Sequence, residues 1–285
     1  NLGRSVANAH TTFKIIEVLF MFPCTPLVVA LTEKIIRGKD EKVHHNELQY
    51  ITEISLKSPA TMIPQAKNEL RRMANMAQEN LDHAIHGFLY QSDEFVDKIY
   101  HREEDINNVS HAITDYLVKS NQLSLPLADQ KILGSMFYVV NDIERIGDHA
   151  ENFADFTKTE IKHNTGLTGD AKEEIKKMYT AVSRLLKLSL ECFMEQDGVN
   201  KPEDKLAEIA ILEASIDKME RRYQKHHIKR LAKGECEPRA GLLFSDMLSE
   251  LERIADHSVN IAYSMSDEDE DEMLAAENEA LATKN

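Results

Sequence analysis

A large part of this chain is written twice. KNELRRM (67–73) is answered by KEEIKKM (172–178), and Phe88 by Phe193, at the same offset of 105. Glu103, Ile106 and Asn107 are answered by Glu213, Ile216 and Asp217 at an offset of 110. DIERIGDHAEN (142–152) is answered by ELERIADHSVN (250–260) at an offset of 108. Three matches in one order, with offsets that drift only as loop lengths would make them, mark an internal duplication. Whatever one copy folds into, the chain must build twice.

The unit being repeated reads as three helices. Met136, Val139, Val140, Ile143 and Ile146 recur at three and four residues, the period of a buried helical stripe. The spacing predicts helices at about 60–90, 93–121 and 127–160, then at about 169–196, 203–233 and 239–265. Pro59, Pro202 and Pro238 suit helix starts. Ser124 before Leu125-Pro126 and the loop from Gly166 to Gly169 separate others. With 10 Gly, 7 Pro and no Trp against 42% apolar residues, the composition favours long helices on short connections. Met73, Met76, Met136, Met178 and Met219 read as core filler. The fold class is all-α: two tandem three-helix bundles, 58–165 and 166–266.

The remaining zones differ in character. Residues 1–36 hold the most hydrophobic stretch, and Val18 to Leu31 is a charge-free run broken by Pro23 and Pro26. A span needs about 20 mainly apolar residues, so this run suits a broken, membrane-associated helix or a hairpin buried in a core. Lys34, Arg37, Lys39 and Lys42 follow it, which would leave the next domain on the cytoplasmic side. Residues 37–57 form a polar linker. The tail, 267–285, opens with six consecutive acids and is expected to be disordered. A start at Asn1 without Met reads as a fragment or a processed product, and no signal-peptide pattern opens it.

About half of the net charge of −15 sits in that tail, and no long basic run appears. This argues against nucleic acid as a partner. Cys24, Cys192 and Cys236 form no CxxC pair, which fits a reduced setting and argues against a thiolate zinc site.

The strongest chemical signal is a carboxylate pair in each copy, Glu144/Asp148 and Glu252/Asp256. Residues four apart share a helix face, and two acids there repel unless a cation, an arginine or water compensates. Asn152 and Asn260 would prolong that face by a turn. The preceding helices offer Glu103 in the first copy, with Asn107 one turn on, and Glu213 with Asp217 in the second. Oxygen donors of this kind suit Mg²⁺, Ca²⁺, Mn²⁺ or iron. The competing reading is solvated charge on amphipathic helices. His149 and His257 lie 100° round the helix from the acids, so hydrogen bonding suits them better than ligation. Arg145 and Arg253 suit bridging roles. Glu41-x-x-His44 and Glu160-x-x-His163 do not occupy facing mid-helix positions, as a di-iron bundle would need.

At ERIGDHAEN and ERIADHSVN the sequence resembles the PhoU family, regulators of phosphate uptake built as paired three-helix bundles. That resemblance implies a multinuclear metal cluster, iron among the candidates, on E/D-x-x-x-D motifs. The implied ligands are Glu103, Glu144, Asp148, Glu213, Asp217, Glu252 and Asp256. Asn107 departs from the acidic pattern. ANAHTTFKIIEVLFMFP (7–23) and SPATMIPQAKNELRRM (58–73) also resemble the end of the membrane domain of sodium/phosphate cotransporters and its junction with a PhoU-like domain, with Lys14 where Asn is usual. This second resemblance implies a regulatory, non-catalytic domain on the cytoplasmic side of the cell membrane. Its partners would be the membrane domain of the same transporter, with sodium and phosphate bound there, and a second copy in a homo-oligomer. The alternatives are a free-standing PhoU adaptor acting on an ABC phosphate importer and its sensor kinase, and a carboxylate-bridged metalloenzyme.

Overall fold

In a computed structural model of the 285-residue chain, the described residues are 13–14, 48–52, 59–163, 167–196 and 202–265. The chain divides into a unit of residues 1–44 and a unit of residues 45–285. Among its described residues the second unit holds six long helices: α1 (Pro59–Tyr90), α2 (Val96–Asn121), α3 (Leu127–His163), α4 (Gly169–Glu195), α5 (Glu203–Ala232) and α6 (Pro238–Tyr263).

Local chemistry places their ends. Pro59 opens α1 and Pro238 opens α6, where the missing N–H costs nothing. Pro202 immediately precedes α5. Thr168 caps α4, its hydroxyl accepting from the Ala171 N–H at 3.3 Å.

The duplication is legible in the packing. Leu70, Met73 and Phe88 on α1 are fully buried, and so are their counterparts Ile175, Met178 and Phe193 on α4. On α3 the buried stripe runs through Met136, Val139, Ile143, Ile146, Ala150 and Phe153. Each fully buried large apolar side chain stabilises the fold by roughly 1.5–3 kcal/mol. In each copy the first helix packs on the third, α1 on α3 and α4 on α6, with the second helix against both. The copies join through α3 against α6 and α1 against α4, so a single core runs through both bundles.

Two reciprocal exchanges lock this junction. The Lys67 ammonium of α1 donates to the Phe193 carbonyl at 3.1 Å, to the Met194 carbonyl at 3.3 Å and to the Gln196 carbonyl, at the C-terminal end of α4. Its counterpart Lys172 on α4 donates to the Leu89 carbonyl at 3.4 Å, in the last turn of α1. Each lysine thus meets orphan carbonyls and the negative end of the other copy's helix dipole. Between α3 and α6, His149 and Asn152 donate to Glu250, while His257 and Asn260 donate to Asp142.

Among the described residues no helix is long and apolar enough to cross a membrane. The hydrophobic run 18–31, the Glu41-x-x-His44 string, most of the linker and the acidic tail lie outside the described residues.

Candidate functional site: two unlike acidic faces

Each bundle presents acids where its second helix meets its third. In the first, Glu144, Gly147, Asp148 and Glu151 stand at i, i+3, i+4 and i+7 of α3, which is a single stripe. Glu103 of α2 lies against this stripe. A Cβ built on Gly147 would come 2.5 Å from Glu103 Oε2 and 3.2 Å from its Cδ. Glu103 is only 3% exposed, and neither of its carboxylate oxygens has a hydrogen-bond partner. Burial, and then the charges of Asp148, Glu151 and Glu144, push its pKa up to about 8. Glu151 is also raised, by burial first and then by Asp148, Asp155 and Glu104.

The second face lies between α5 and α6. Glu252, Ala255, Asp256 and Val259 form the matching stripe of α6. Glu213, Asp217 and Glu220 stand at i, i+4 and i+7 of α5. Glu252 is pushed up to about 7 by burial, then by Asp256, Glu220 and Asp217, with Arg253 opposing. Burial and Asp217 raise Asp256. Glu220 is raised by burial and Asp217 against the pull of Arg221. This face also contains its own cation, for Arg221 Nη2 donates to Asp217 Oδ2 at 2.9 Å.

Six of the seven residues expected from the sequence are thereby grouped: Glu103, Glu144 and Asp148 on one face, Asp217, Glu252 and Asp256 on the other. Glu213 is half-buried, one turn before Asp217. Sequence reasoning missed Glu151 and Glu220. Their counterparts are Val259 and Ser110, so a search for matched acids passes over both. The signal that finds them is helical spacing, seven residues on from Glu144 and three on from Asp217.

The asparagines need correction. Asn152 and Asn260 do not prolong the acidic faces. Each step of four residues rotates 40°, so two steps from Glu144 carry Asn152 round to the side that meets α6. There Asn152 donates to Glu250 at 2.8 Å beside His149, and Asn260 donates to Asp142 at 3.4 Å beside His257. Both histidines therefore hydrogen-bond across the copies. Burial works against ionisation of Glu250, but donation from His149 and Asn152 outweighs it and holds the acid below its ordinary value. Arg145 approaches Asp148 at 3.4 Å, and Arg253 approaches Glu250 at 3.3 Å. Glu160 is buried and accepts from Gln91 Nε2 at 2.8 Å.

The donors on both faces are all oxygen, the set that hard cations prefer. The partnerless carboxyl group of Glu103 fits such an ion, because a counter-charge beside it would let this buried acid ionise. Among the described residues no three His, Cys, Asp or Glu side chains converge closely enough to hold an ion as they stand. A separate cleft of about 370 Å³, between the start of α4 and the end of α5, is charge-balanced. In it Glu174 pairs with His226 at 2.6 Å and Arg230 at 2.9 Å.

Comparison with known proteins agrees with this architecture. The chain is 23% identical over 199 residues to a protein of Clostridium acetobutylicum named phosphate-specific transport system accessory protein PhoU homolog, covering 69% of this chain and 87% of that one. A PhoU homolog of Synechocystis is 25% identical over 210 residues, with 72% and 88% covered. The crystal structure of PhoU from Pseudomonas aeruginosa superposes with a TM-score of 0.65 at 19% identity, over 73% of this chain and 97% of that one. The phosphate transport system regulatory protein PhoU from Streptococcus pneumoniae gives 0.64 at 20% identity, with 73% and 95% covered. These two likenesses establish the fold. The relatives are named as accessory proteins, not as transporters, so the expected cell-membrane location is not upheld. The PhoU domain model matches residues 70–157 and 175–265, one match for each copy of the three-helix unit, and the chain therefore belongs to the PhoU domain family.

Proposed function

We propose that this protein regulates phosphate uptake as a PhoU-type accessory protein, acting on an ABC-type phosphate importer and its sensor kinase. The observation that carries this reading is the domain match in both copies, alongside relatives named for the phosphate-specific transport system. The finer idea of a domain appended to a sodium-dependent symporter rests chiefly on residues 7–23. All but Phe13 and Lys14 of that stretch lie outside the described residues.

The two acidic faces are proposed as sites for hard divalent cations or iron. Glu103, Glu144, Asp148 and Glu151 would hold one, and Asp217, Glu220, Glu252 and Asp256 the other, with Glu213 within reach. A bound cation supplies positive charge that neutralises the crowded carboxylates. The chain's own residues do the rest. Ile143, Ile146 and Phe153 anchor α3, and Ile254 and Ile261 anchor α6, so each stripe of acids keeps its heading. The role is regulatory, and no reaction is assigned.

The test is uptake of radiolabelled phosphate in a bacterium deleted for its own PhoU. Expression of this chain should lower uptake under phosphate-replete conditions. Unchanged uptake, with the protein present and folded, removes the proposal.

A further inference from the structure

We infer that the two acidic faces are unequal cation sites, with Gly147 as the residue that makes the first the tighter one. This rests on the reading of the faces as cation sites and adds a ranking within it.

The argument compares matched positions. On α3 the stripe reads Glu144, Gly147, Asp148, Glu151; on α6 it reads Glu252, Ala255, Asp256, Val259. Opposite them, Glu103, Asn107, Ser110 and His111 on α2 answer Glu213, Asp217, Glu220 and Arg221 on α5. Two differences follow.

The first is steric. Glu103 is buried because Gly147 has no Cβ; one placed there would meet Oε2 at 2.5 Å. At the equivalent place α6 carries Ala255, which is itself buried, and Glu213 is half-buried. The second copy thus already has the methyl group that an alanine at 147 would introduce. The second difference is charge compensation. Arg221 holds Asp217 at 2.9 Å in the second face, whereas His111 stands at that place in the first, where Arg145 approaches Asp148 at the longer distance of 3.4 Å.

The second face has one more acid, five against four. Number alone does not decide affinity. A charge at an effective dielectric constant near 20 attracts a cation roughly fourfold more strongly than one in water. Glu103 is buried with both oxygens partnerless, while none of the five acids of the second face is buried to that degree and Asp217 is already paired. One sheltered carboxylate therefore outweighs one additional wet one.

The test is Mn²⁺ binding to the full chain, followed by calorimetry and by electron paramagnetic resonance of free Mn²⁺. The wild type should show two classes of site separated by at least about tenfold in Kd, the scale on which single supporting groups change metal affinity. Glu103→Gln, which is nearly isosteric, should abolish the tight class and leave the weak one. Glu252→Gln should do the reverse. Gly147→Ala should weaken the tight class by at least about tenfold without moving the weak one, with helicity and melting temperature checked by circular dichroism. Two classes of equal affinity would overturn the ranking and leave the cation reading standing. A tight class unmoved by Gly147→Ala in a folded protein would overturn the role of Gly147. No Mn²⁺ binding at either face would remove the cation reading itself.

Discussion

His149 and Glu250 belong to different copies of the repeat, yet Nδ1 of the histidine lies 2.5 Å from Oε2 of the acid. Their counterparts return the contact, with His257 Nδ1 at 2.9 Å from Asp142 Oδ1. The rings of the two histidines lie 5.7 Å apart, at the crossing of α3 and α6. The repeated motif is therefore complementary to itself: each copy supplies the donors that the other copy's leading acid requires.

The two contacts should differ in worth. The acids they serve are about equally buried, Glu250 at 12% and Asp142 at 10% exposed, but differ in the donors they retain. Leaving a buried acceptor short of a donor costs about 1–3 kcal/mol. Glu250 keeps Asn152 at 2.8 Å when His149 is lost, whereas Asp142 keeps only Asn260 at 3.4 Å when His257 is lost, so His257→Ala should fall nearer the upper end of that range in urea unfolding and His149→Ala nearer the lower. A double-mutant cycle of His149→Ala with Glu250→Gln should show a coupling of at least about 0.5 kcal/mol. Additive effects would mean the pair contributes nothing of its own.

The buried acid Glu103 sets a pH dependence. Its ordinary value is 4.5 and its folded value is about 8. Between those limits the folded state retains a proton that the unfolded state releases, so stability falls as pH rises through the window and levels off above it. In chelator-treated protein, Glu103→Gln should match the wild type near pH 5. It should be the more stable near pH 9, by on the order of 2–4 kcal/mol. A gap that does not change with pH would show that Glu103 is ionised throughout.

Lys67 and Lys172 play matched roles with unequal partners. Lys67 is buried and reaches three carbonyls; Lys172 reaches one, at 3.4 Å, and the buried Glu160 carboxylate at 4.0 Å. Replacement by Met keeps the stem and removes the donors. Lys67→Met should lower stability by about 1–3 kcal/mol, and Lys172→Met by under about 1 kcal/mol. Equal effects in chemical denaturation would argue that the ammonium groups are not what joins α1 to α4.

Because one core crosses both copies, the bundles should unfold together. Tyr100 reports on the first copy and Tyr223 on the second, and the chain has no Trp. Tyr100→Trp and Tyr223→Trp should give fluorescence transitions with the same midpoint, within error, after correction for each substitution's own cost. Separated midpoints would make the copies independent folding units.

The sequence by itself determined the six helices and their limits to within about three residues, because apolar period, proline starts and a matched repeat all act locally. It also determined that Asp148 shares a face with Glu144 and Asp256 with Glu252, since helix geometry alone decides that. The family likeness in the two motifs was equally legible. Only the tertiary structure decided that Glu103 lies buried beneath Gly147 while Glu213 does not, that Glu151 and Glu220 complete the two faces, and that Asn152 and Asn260 serve the junction. Those outcomes depend on how closely one helix approaches another. A single absent methyl group sets that distance at Gly147, and a repeat alignment registers it only as a glycine opposite an alanine.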